Sequence, residues 1–321
     1  MLGFFKTVLD YTLWSVTYIV DRICWTCNKN LYYKIYRGLS YVTVKSIYQH
    51  LKFHFMSAGY EPVEKQDEEK LSLVARDSKW PDILKPHFYL YEKTLSAVPS
   101  YPLLTGLDLV EVGCGQGGGL QWIKGAHREL SSCRGLDLCV HDSFDGLIQQ
   151  GDAHKLPYAD QSVDVLLNVE SSHQYADRPT FYGEVFRVLR PGGWFCYTDI
   201  CHTNTAVEFG VEPYDQLRDT LVNVVGFAER AFVDVTKENL LQYDDDERMQ
   251  LMFDDTQILR ARDASVDRYQ VLVEDAPFHL WLVRRNVMLM IQNSYGELEN
   301  GNTIYFASCW QKKADLEKKS G

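Results

Sequence analysis

Residues 107–119 read LDLVEVGCGQGGG, and this stretch gives the strongest indication of the fold. Its first half, from Leu107 to Val112, is an apolar run of the kind that forms a buried strand. Five glycines follow between positions 113 and 119, and a helical pattern comes directly after them. Glycines let the backbone turn sharply and approach a ligand where a Cβ atom would collide. A strand, a glycine turn and a helix in this order predict a loop for a nucleotide-like cofactor, although such a turn can also serve close packing alone.

The chain on either side of this loop predicts a parallel sheet. From about residue 80 to residue 200, short apolar runs alternate with helical patterns, as in βαβ units. A helix predicted over 184–190 should stop at the Pro-Gly-Gly sequence that follows it. A third strand should end near Gly151. The other strands are predicted at 107–112, 135–138, 162–168, 194–199 and 303–310.

The composition of the 321 residues excludes several classes of protein. With 45% hydrophobic and 24% charged residues, the chain can build a core and is not of a disordered type. The formal charge of -11 argues against binding nucleic acid over a broad surface. The eight cysteines are irregularly spaced, which favours reduced thiols in the cytoplasm. The one CxxC, Cys24 to Cys27, lacks a second pair at zinc-finger spacing, so we expect no metal site.

Four segments in a fixed order carry a family resemblance. They are VEVGCGQGGG at 110–119, GLDL at 135–138, GDAHKLPYADQSVDVLLNVESSH at 151–173 and FRVLRPGGWF at 186–195. Together they resemble class I S-adenosylmethionine-dependent methyltransferases. They look most like the phthiotriol and phenolphthiotriol dimycocerosate methyltransferases, and sterol methyltransferases are more distant relatives. The resemblance is strong over about residues 85–200.

The resemblance implies a Rossmann-like α/β fold with a seven-stranded sheet and S-adenosylmethionine as cofactor. It places the methionine part of the cofactor at the glycines and at the acid that ends the first strand, with a tyrosine above it. It places a strand-end acid at the ribose, an Asp-Ala pair at the adenine edge and an asparagine beside the sulfonium. The cofactor-binding residues that follow are Tyr91, Glu111, Gly113, Gly115, Gly117, Asp137, Leu138, Asp152, Ala153 and Asn168. Tyr91 could equally be an ordinary core residue, and Asp137 a surface helix cap.

Methyl transfer to a hydroxyl needs positioning and benefits from a general base. His173 and Glu170 directly follow the fourth strand, where substrate should meet cofactor. Because histidine titrates near neutrality, His173 is the expected base, with Glu170 orienting it or acting as a second base. His173 could instead be a cap or a cofactor contact. In a sterol-type enzyme Glu170 would instead stabilise the carbocation that forms when an alkene is methylated.

We therefore expect methylation of a lipid-like acceptor, with O-methylation favoured. Carbon methylation of a sterol or isoprenoid and methylation of a small polar acceptor remain alternatives. An inactive interaction protein is a third alternative, because only eight residues, 139–146, replace the crossover helix after the second strand. A crossover this short predicts either a turn in place of the helix or an incomplete third strand. The adenine pocket would be affected more than the methionine end.

The domain organisation follows from these motifs. Residues 1–62 are predicted as an N-terminal helical cap, followed by a charged linker at 63–79. The methyltransferase domain should span 80–311, with a helical acceptor-side insertion at 205–285 and a charged tail at 312–321. The broadly apolar helix within residues 1–26 should either pack in the fold or contact a membrane surface peripherally. The oligomeric state is left open.

Overall fold

The computed structural model describes residues 57, 59–75, 84–140, 146–203, 211–241 and 297–314. The apolar segment 1–26, most of the insertion at 205–285 and the tail after residue 314 lie outside the described residues. So does the middle of the shortened crossover, at 141–145. No helix within the described ranges is both long and apolar enough to cross a membrane.

The described elements form a mixed sheet flanked by helices. Its strands are β1 (Asp108–Val112), β2 (Ser132–Asp137), β3 (Ile148–Gln150), β4 (Val163–Val169), β5 (Leu189–His202), β6 (Phe227–Asp234) and β7 (Thr303–Lys312). Their order is β3-β2-β1-β4-β5-β7-β6. Within this seven-stranded sheet, β7 runs antiparallel to β5 and β6, whereas the pairs from β3 to β5 are parallel. The predicted Rossmann-like fold class is confirmed.

The helices cover both faces of the sheet. They are α1 (Lys65–Ala75), α2 (Lys85–Leu95), α3 (Gly118–Ala126), α4 (Arg178–Val188), α5 (Tyr214–Asp219) and α6 (Thr236–Leu240). A π-helical turn, Thr220–Val225, extends α5. The side chains of β1 alternate between the two core clusters, because Leu109 packs with α2 and α3 while Val110 packs with α4. Burial on both faces explains why the strand reads as a continuous apolar run.

The strand order places a ligand site at one edge of the sheet. The chain leaves β1 in one direction, towards β2 and β3, and returns to β4 on the other side of β1. In open α/β sheets, ligands bind outside the carboxyl ends of the strands at such a switch point. The ends of β1, β2 and β4 carry the residues singled out in the sequence.

Three expectations about organisation need correction, whereas the predicted third strand is present. The predicted linker 63–79 contains helix α1, because Leu71 enters the core and Asp67 bonds to Tyr60 and Lys93. The predicted helical insertion contains strand β6 (Phe227–Asp234), whose pairing with β7 outweighs a polar, helix-like sequence. The third strand does form, parallel to β2 through Gly135 and Ile148, despite the short crossover. The helix before Pro191 ends at Val188, two residues earlier than predicted.

Candidate active site

The glycine loop joins β1 to α3 with a left-handed backbone. The φ angles are 74° at Gly113, 53° at Gly115 and 75° at Gly117, which caps the N-terminus of α3. These conformations favour glycine. A Cβ atom on Gly113 would lie 1.9 Å from the Oγ atom of Ser171. The loop after β4 therefore rests directly on the glycine turn.

Tyr91 and Glu111 form a buried pair beside this loop. The hydroxyl of Tyr91 donates a hydrogen bond of 2.9 Å to Oε1 of Glu111, and the Glu111 side chain is fully buried. Burial raises the pKa of Glu111 to about 8, although the bond from Tyr91 opposes the shift. The tyrosine ring also faces α3, because a Cβ atom on Gly119 would lie 1.9 Å from the ring.

Asp137, at the end of β2, bonds to the backbone of the glycine loop. Its Oδ2 accepts from the N–H of Gly115 at 2.8 Å, and its Oδ1 accepts from the N–H of Cys139 at 2.9 Å. Burial raises its pKa to about 6, against these hydrogen bonds. Leu138 follows with 42% of its surface exposed, an apolar side chain at the edge of the site.

Asp152 and Ala153 follow β3, at the same edge of the sheet. One oxygen of Asp152, Oδ1, accepts from the backbone N–H of His154 at 2.9 Å and lies 2.6 Å from its ring Nδ1. His154 in turn accepts from the backbone N–H of Asp177 at the start of α4. Ala153 is buried in the core cluster under α4.

Asn168 holds the ends of the two central strands together. It is fully buried, and its Nδ2 donates 2.7 Å to the carbonyl of Val112 in β1. The same nitrogen lies 3.2 Å from the hydroxyl of Tyr175, which also contacts Ser171. Ser171 and Tyr175 had not been singled out from the sequence, which offers no periodic signal for them.

Several buried polar atoms around the loop have no hydrogen-bond partner among the residues that the structure describes. They are Oε2 of Glu111, Nε2 of Gln116 and Oδ1 of Asn168. Unpaired buried polar atoms are rare and costly, so they favour a polar ligand. S-adenosylmethionine offers an ammonium, a carboxylate and two ribose hydroxyls. The residues present therefore fit the cofactor that the resemblance implies. No group of three or more His, Cys, Asp and Glu in the described ranges could hold a metal ion.

Glu170 stands directly after β4 in a strained conformation. Its φ angle is 48°, which is uncommon outside glycine and occurs often at functional sites. The hydroxyl of Tyr305 in β7 donates a hydrogen bond to its Oε1. The sequence predicts that Glu170 orients the imidazole of His173 or acts as a second base, and its charge helps to raise the pKa of that ring.

Asp199 of β5 orients His173. Its Oδ1 lies 2.7 Å from Nδ1 of the imidazole, and its Oδ2 accepts from the backbone N–H of His173 at 3.1 Å. The side chain of Asp199 is fully buried, whereas that of His173 is 25% exposed. With the proton of the neutral ring on Nδ1, Nε2 is left as the basic nitrogen. Sequence reasoning missed Asp199, although an acid inside an apolar strand was a usable signal.

The pair shifts the titration of both partners. Burial alone would lower the pKa of His173, but the charge and hydrogen bond of Asp199 outweigh it and raise that pKa. Burial alone would raise the pKa of Asp199, but His173 and Arg178 lower it to about 2. Asp199 is therefore ionised at neutral pH, and the imidazole holds its second proton more firmly than usual.

Comparison with known proteins agrees with this geometry. Residues 110–197 match a family described as a methyltransferase domain. Phthiotriol/phenolphthiotriol dimycocerosates methyltransferase 1 of Mycobacterium ulcerans is 33% identical over 184 residues, covering 54% of this chain and 64% of the relative. A fatty-acid O-methyltransferase of Mycolicibacterium smegmatis is 31% identical over 190 residues, covering 56% and 64%. The matched region spans less than two thirds of either relative's length.

Solved structures share the fold at low sequence identity. The [4+2]-cyclase SpnF superposes with a TM-score of 0.59 at 16% identity, over 86% of this chain and 95% of that chain. Phosphoethanolamine N-methyltransferase 2 of Haemonchus contortus, in complex with S-adenosyl-L-methionine, gives 0.51 at 16% identity, over 77% and 57%. These likenesses establish the fold alone, since the same architecture serves a cyclase. The resemblance read from the sequence is nevertheless confirmed: residues 110–197 match the methyltransferase-domain family, and the chain shares its fold with a methyltransferase that binds S-adenosyl-L-methionine.

Proposed function

We propose that the protein transfers a methyl group from S-adenosylmethionine to a hydroxyl of a lipid-like acceptor. The observation that carries the proposal is the His173–Asp199 pair, which presents a basic nitrogen on a loop that packs against the glycine turn. The names of the relatives support a lipid acceptor, because they include a fatty-acid O-methyltransferase and dimycocerosate methyltransferases.

The proposed cofactor contacts divide along the sheet edge. The methionine end meets Tyr91, Glu111 and the glycines Gly113, Gly115 and Gly117. The ribose meets Asp137 and Leu138, the adenine meets Asp152 and Ala153, and the sulfonium lies beside Asn168. When bound, the cofactor supplies a methyl group made electrophilic by the sulfonium. The chain holds that group in place and excludes water, which accounts for much of the rate in reactions of this type.

His173 acts as the general base in this proposal. The cofactor would supply the methyl group to the acceptor oxygen, and its sulfur would keep the electron pair of the broken carbon–sulfur bond. The hydroxyl proton passes to Nε2 of His173, and Asp199 stabilises the imidazolium that results. The products are the methylated oxygen, S-adenosylhomocysteine and one proton, which the imidazole releases to solvent.

The decisive experiment supplies isotope-labelled cofactor to the protein with a lipid extract and analyses the products by mass spectrometry. The label should appear on a lipid oxygen. The His173→Ala variant should lose about 10²- to 10⁴-fold in turnover and keep its cofactor affinity in calorimetry. Glu170→Gln, the matched control on the same loop, should lose less. Label on a polar small molecule, or wild-type turnover in His173→Ala, would refute the proposal.

One observation favours a second candidate, methylation of carbon. Glu170 keeps a strained backbone and a bond from Tyr305, so its carboxylate is fixed at the site edge. A fixed carboxylate can stabilise a carbocation formed when an alkene accepts the methyl group. In that case Glu170→Gln would lose more turnover than His173→Ala, and the label would appear on carbon. A protein that binds no cofactor in calorimetry would support the inactive alternative.

Contact with a membrane surface through residues 1–26 is part of the same proposal, within the cytoplasm. Vesicles of phosphatidylcholine should pull down the full chain on sedimentation, and deletion of residues 1–26 should abolish this. The apolar character of the segment is the support, since it contains few charges. Equal sedimentation of both forms would remove the segment from membrane binding.

A further inference from the structure

A buried arginine stands behind the His173–Asp199 pair. Arg178 is the first residue of α4, and only 4% of its surface is exposed. Its guanidinium donates to the hydroxyl of Ser172 at 3.1 Å and to that of Tyr197 at 3.1 Å. It also donates to the carboxylate of Glu212, with which it forms an ion pair. A buried guanidinium is costly unless paired in this way, so the cluster is a built arrangement.

Arg178 and His173 share one carboxylate. Asp199 bonds to the imidazole through Oδ1 at 2.7 Å. Its Oδ2 accepts from the hydroxyl of Ser172 at 2.7 Å and lies 3.7 Å from Nη2 of Arg178. The charges therefore alternate along a buried row: imidazolium, carboxylate, guanidinium and the carboxylate of Glu212.

We infer that Arg178 is a positioning residue which, with Glu212 as its counter-ion, sets how strongly Asp199 holds the proton of His173. The inference rests on the proposed function only for its catalytic meaning, since the row of charges exists whatever the acceptor. Without Arg178, the full charge of Asp199 would act on the imidazole, and His173 would hold its second proton more firmly still. With Arg178 present, part of that charge is neutralised and the second proton is held less firmly.

Glu212 has the opposite effect on the pKa of His173. Its carboxylate offsets part of the charge of Arg178, so removing it strengthens the pull of Arg178 on Asp199. The proton of His173 is then held less firmly. Because like and opposite charges act over a few ångströms in a buried row, each change should move the titration of His173 by about 0.5–1 pH unit.

The other groups around His173 do not reverse these signs. Asp199 of β5, Arg178 of α4 and Glu170 of the loop after β4 act on His173 directly. Tyr182, Tyr197, Cys201 and Glu212 interact with Arg178 or Asp199 and reach His173 through them. Tyr305 of β7 reaches the cluster through Glu170. Burial raises the pKa of Cys201 to about 12 and holds those of Tyr182 and Tyr197 above their usual range, so these three stay neutral near pH 7.

The test is a titration of His173 in the full chain, followed by NMR of ring-labelled histidine and assigned with His173→Asn. Arg178→Met should raise the pKa of His173 by about 0.5–1 unit, and Glu212→Gln should lower it by a similar amount. The acidic limb of the pH–rate profile should move in the same two directions. The matched control is Arg187→Met on the same helix, because Arg187 is a half-buried cation paired with Glu184 and Asp160. It should leave the titration unchanged.

The outcomes separate this inference from the proposed function. A titration that moves in opposite directions in the two variants supports the inference. If the acidic limb of the pH–rate profile stays in place while the pKa of His173 shifts, the inference stands and the role of His173 as base is refuted. If neither variant moves the titration, or both move it in the same direction, the inference is overturned. Should Arg178→Met fail to fold, Glu212→Gln decides alone, because it keeps the buried cation: a lowered pKa supports the inference, and an unchanged or raised one overturns it.

Discussion

Asp137 bonds to the glycine loop, and its protonation should change the affinity for the cofactor. Both of its oxygens accept backbone hydrogen bonds, and burial raises its pKa to about 6. In the proposed site the ionised carboxylate accepts hydrogen bonds from both ribose hydroxyls. Protonation would remove that capacity, so cofactor affinity should fall as the pH drops through about 6.

Calorimetry across pH 5–8 tests whether cofactor affinity falls as the pH is lowered. Asp137→Asn should weaken binding by about 1–3 kcal/mol at high pH, because an amide replaces a charged acceptor, and should also abolish the fall near pH 6. The pKa of Glu111, raised by burial to about 8, lies two units higher, so its effect is separable. His173→Ala is the control and should keep the fall. A pH dependence that survives in Asp137→Asn would exclude Asp137 from the ribose contact.

Single residues also mark where sequence reasoning succeeds and where it stops. The position of Glu111, Asp137 and Asn168 at one edge of the sheet was predictable, because each lies at or next to the carboxyl end of a parallel strand. Asp199 pairs with His173 across 26 positions of chain. Such a contact depends on how β5 lies beside β4, which no local pattern encodes.

At the scale of elements, helices α2 and α3 pack closely because Gly119 of α3 has no side chain. The ring of Tyr91 occupies the space that a Cβ atom of Gly119 would fill. That fit holds the tyrosine hydroxyl against Glu111 at 2.9 Å. Helix α2 thereby places a side chain over the cofactor loop although it precedes β1 in the chain.

Gly119→Ala should therefore displace Tyr91, destabilise the protein by about 1–3 kcal/mol and weaken cofactor binding, since an added methyl group overpacks a filled space. The matched control is Gly125→Ala on the same helix, where a Cβ atom meets nothing within 4 Å. That change should be neutral, or stabilise by about 0.5–1 kcal/mol through helix propensity. Denaturant unfolding and calorimetry measure both effects. Equal behaviour of the two variants would show that the fit to Tyr91 is unimportant.

Elements with a strong apolar period were predictable, whereas those defined by pairing were not. The strands β1, β4 and β7 appear close to their predicted bounds, because burial imposes an apolar pattern on them. Strand β6 lies at the edge of the sheet, and much of its surface is exposed. Its sequence therefore lacks the strand period. Helix α1 was hidden because its charged positions outnumber the apolar ones that enter the core.

At the scale of the whole molecule, the proposed cofactor would tie together elements from distant parts of the chain. The candidate contacts come from α2, from β1, β2 and β4, and from the loops that follow β1, β2, β3 and β4. A ligand that binds only when these elements are assembled stabilises the folded state as a unit. At a concentration of 100 times its dissociation constant, that stabilisation amounts to about 2.7 kcal/mol.

For a domain of this size, the melting temperature should consequently rise by about 5–10 °C on saturation with S-adenosylmethionine. Asp137→Ala should show a much smaller rise at the same cofactor concentration, because its affinity is lower. His173→Ala should show the full rise, since His173 lies on the acceptor side and not among the proposed cofactor contacts. Differential scanning calorimetry at fixed protein concentration and pH 8 measures all three. A full rise in Asp137→Ala, or none in the unaltered chain, would show that the sheet edge does not hold the cofactor in the way inferred.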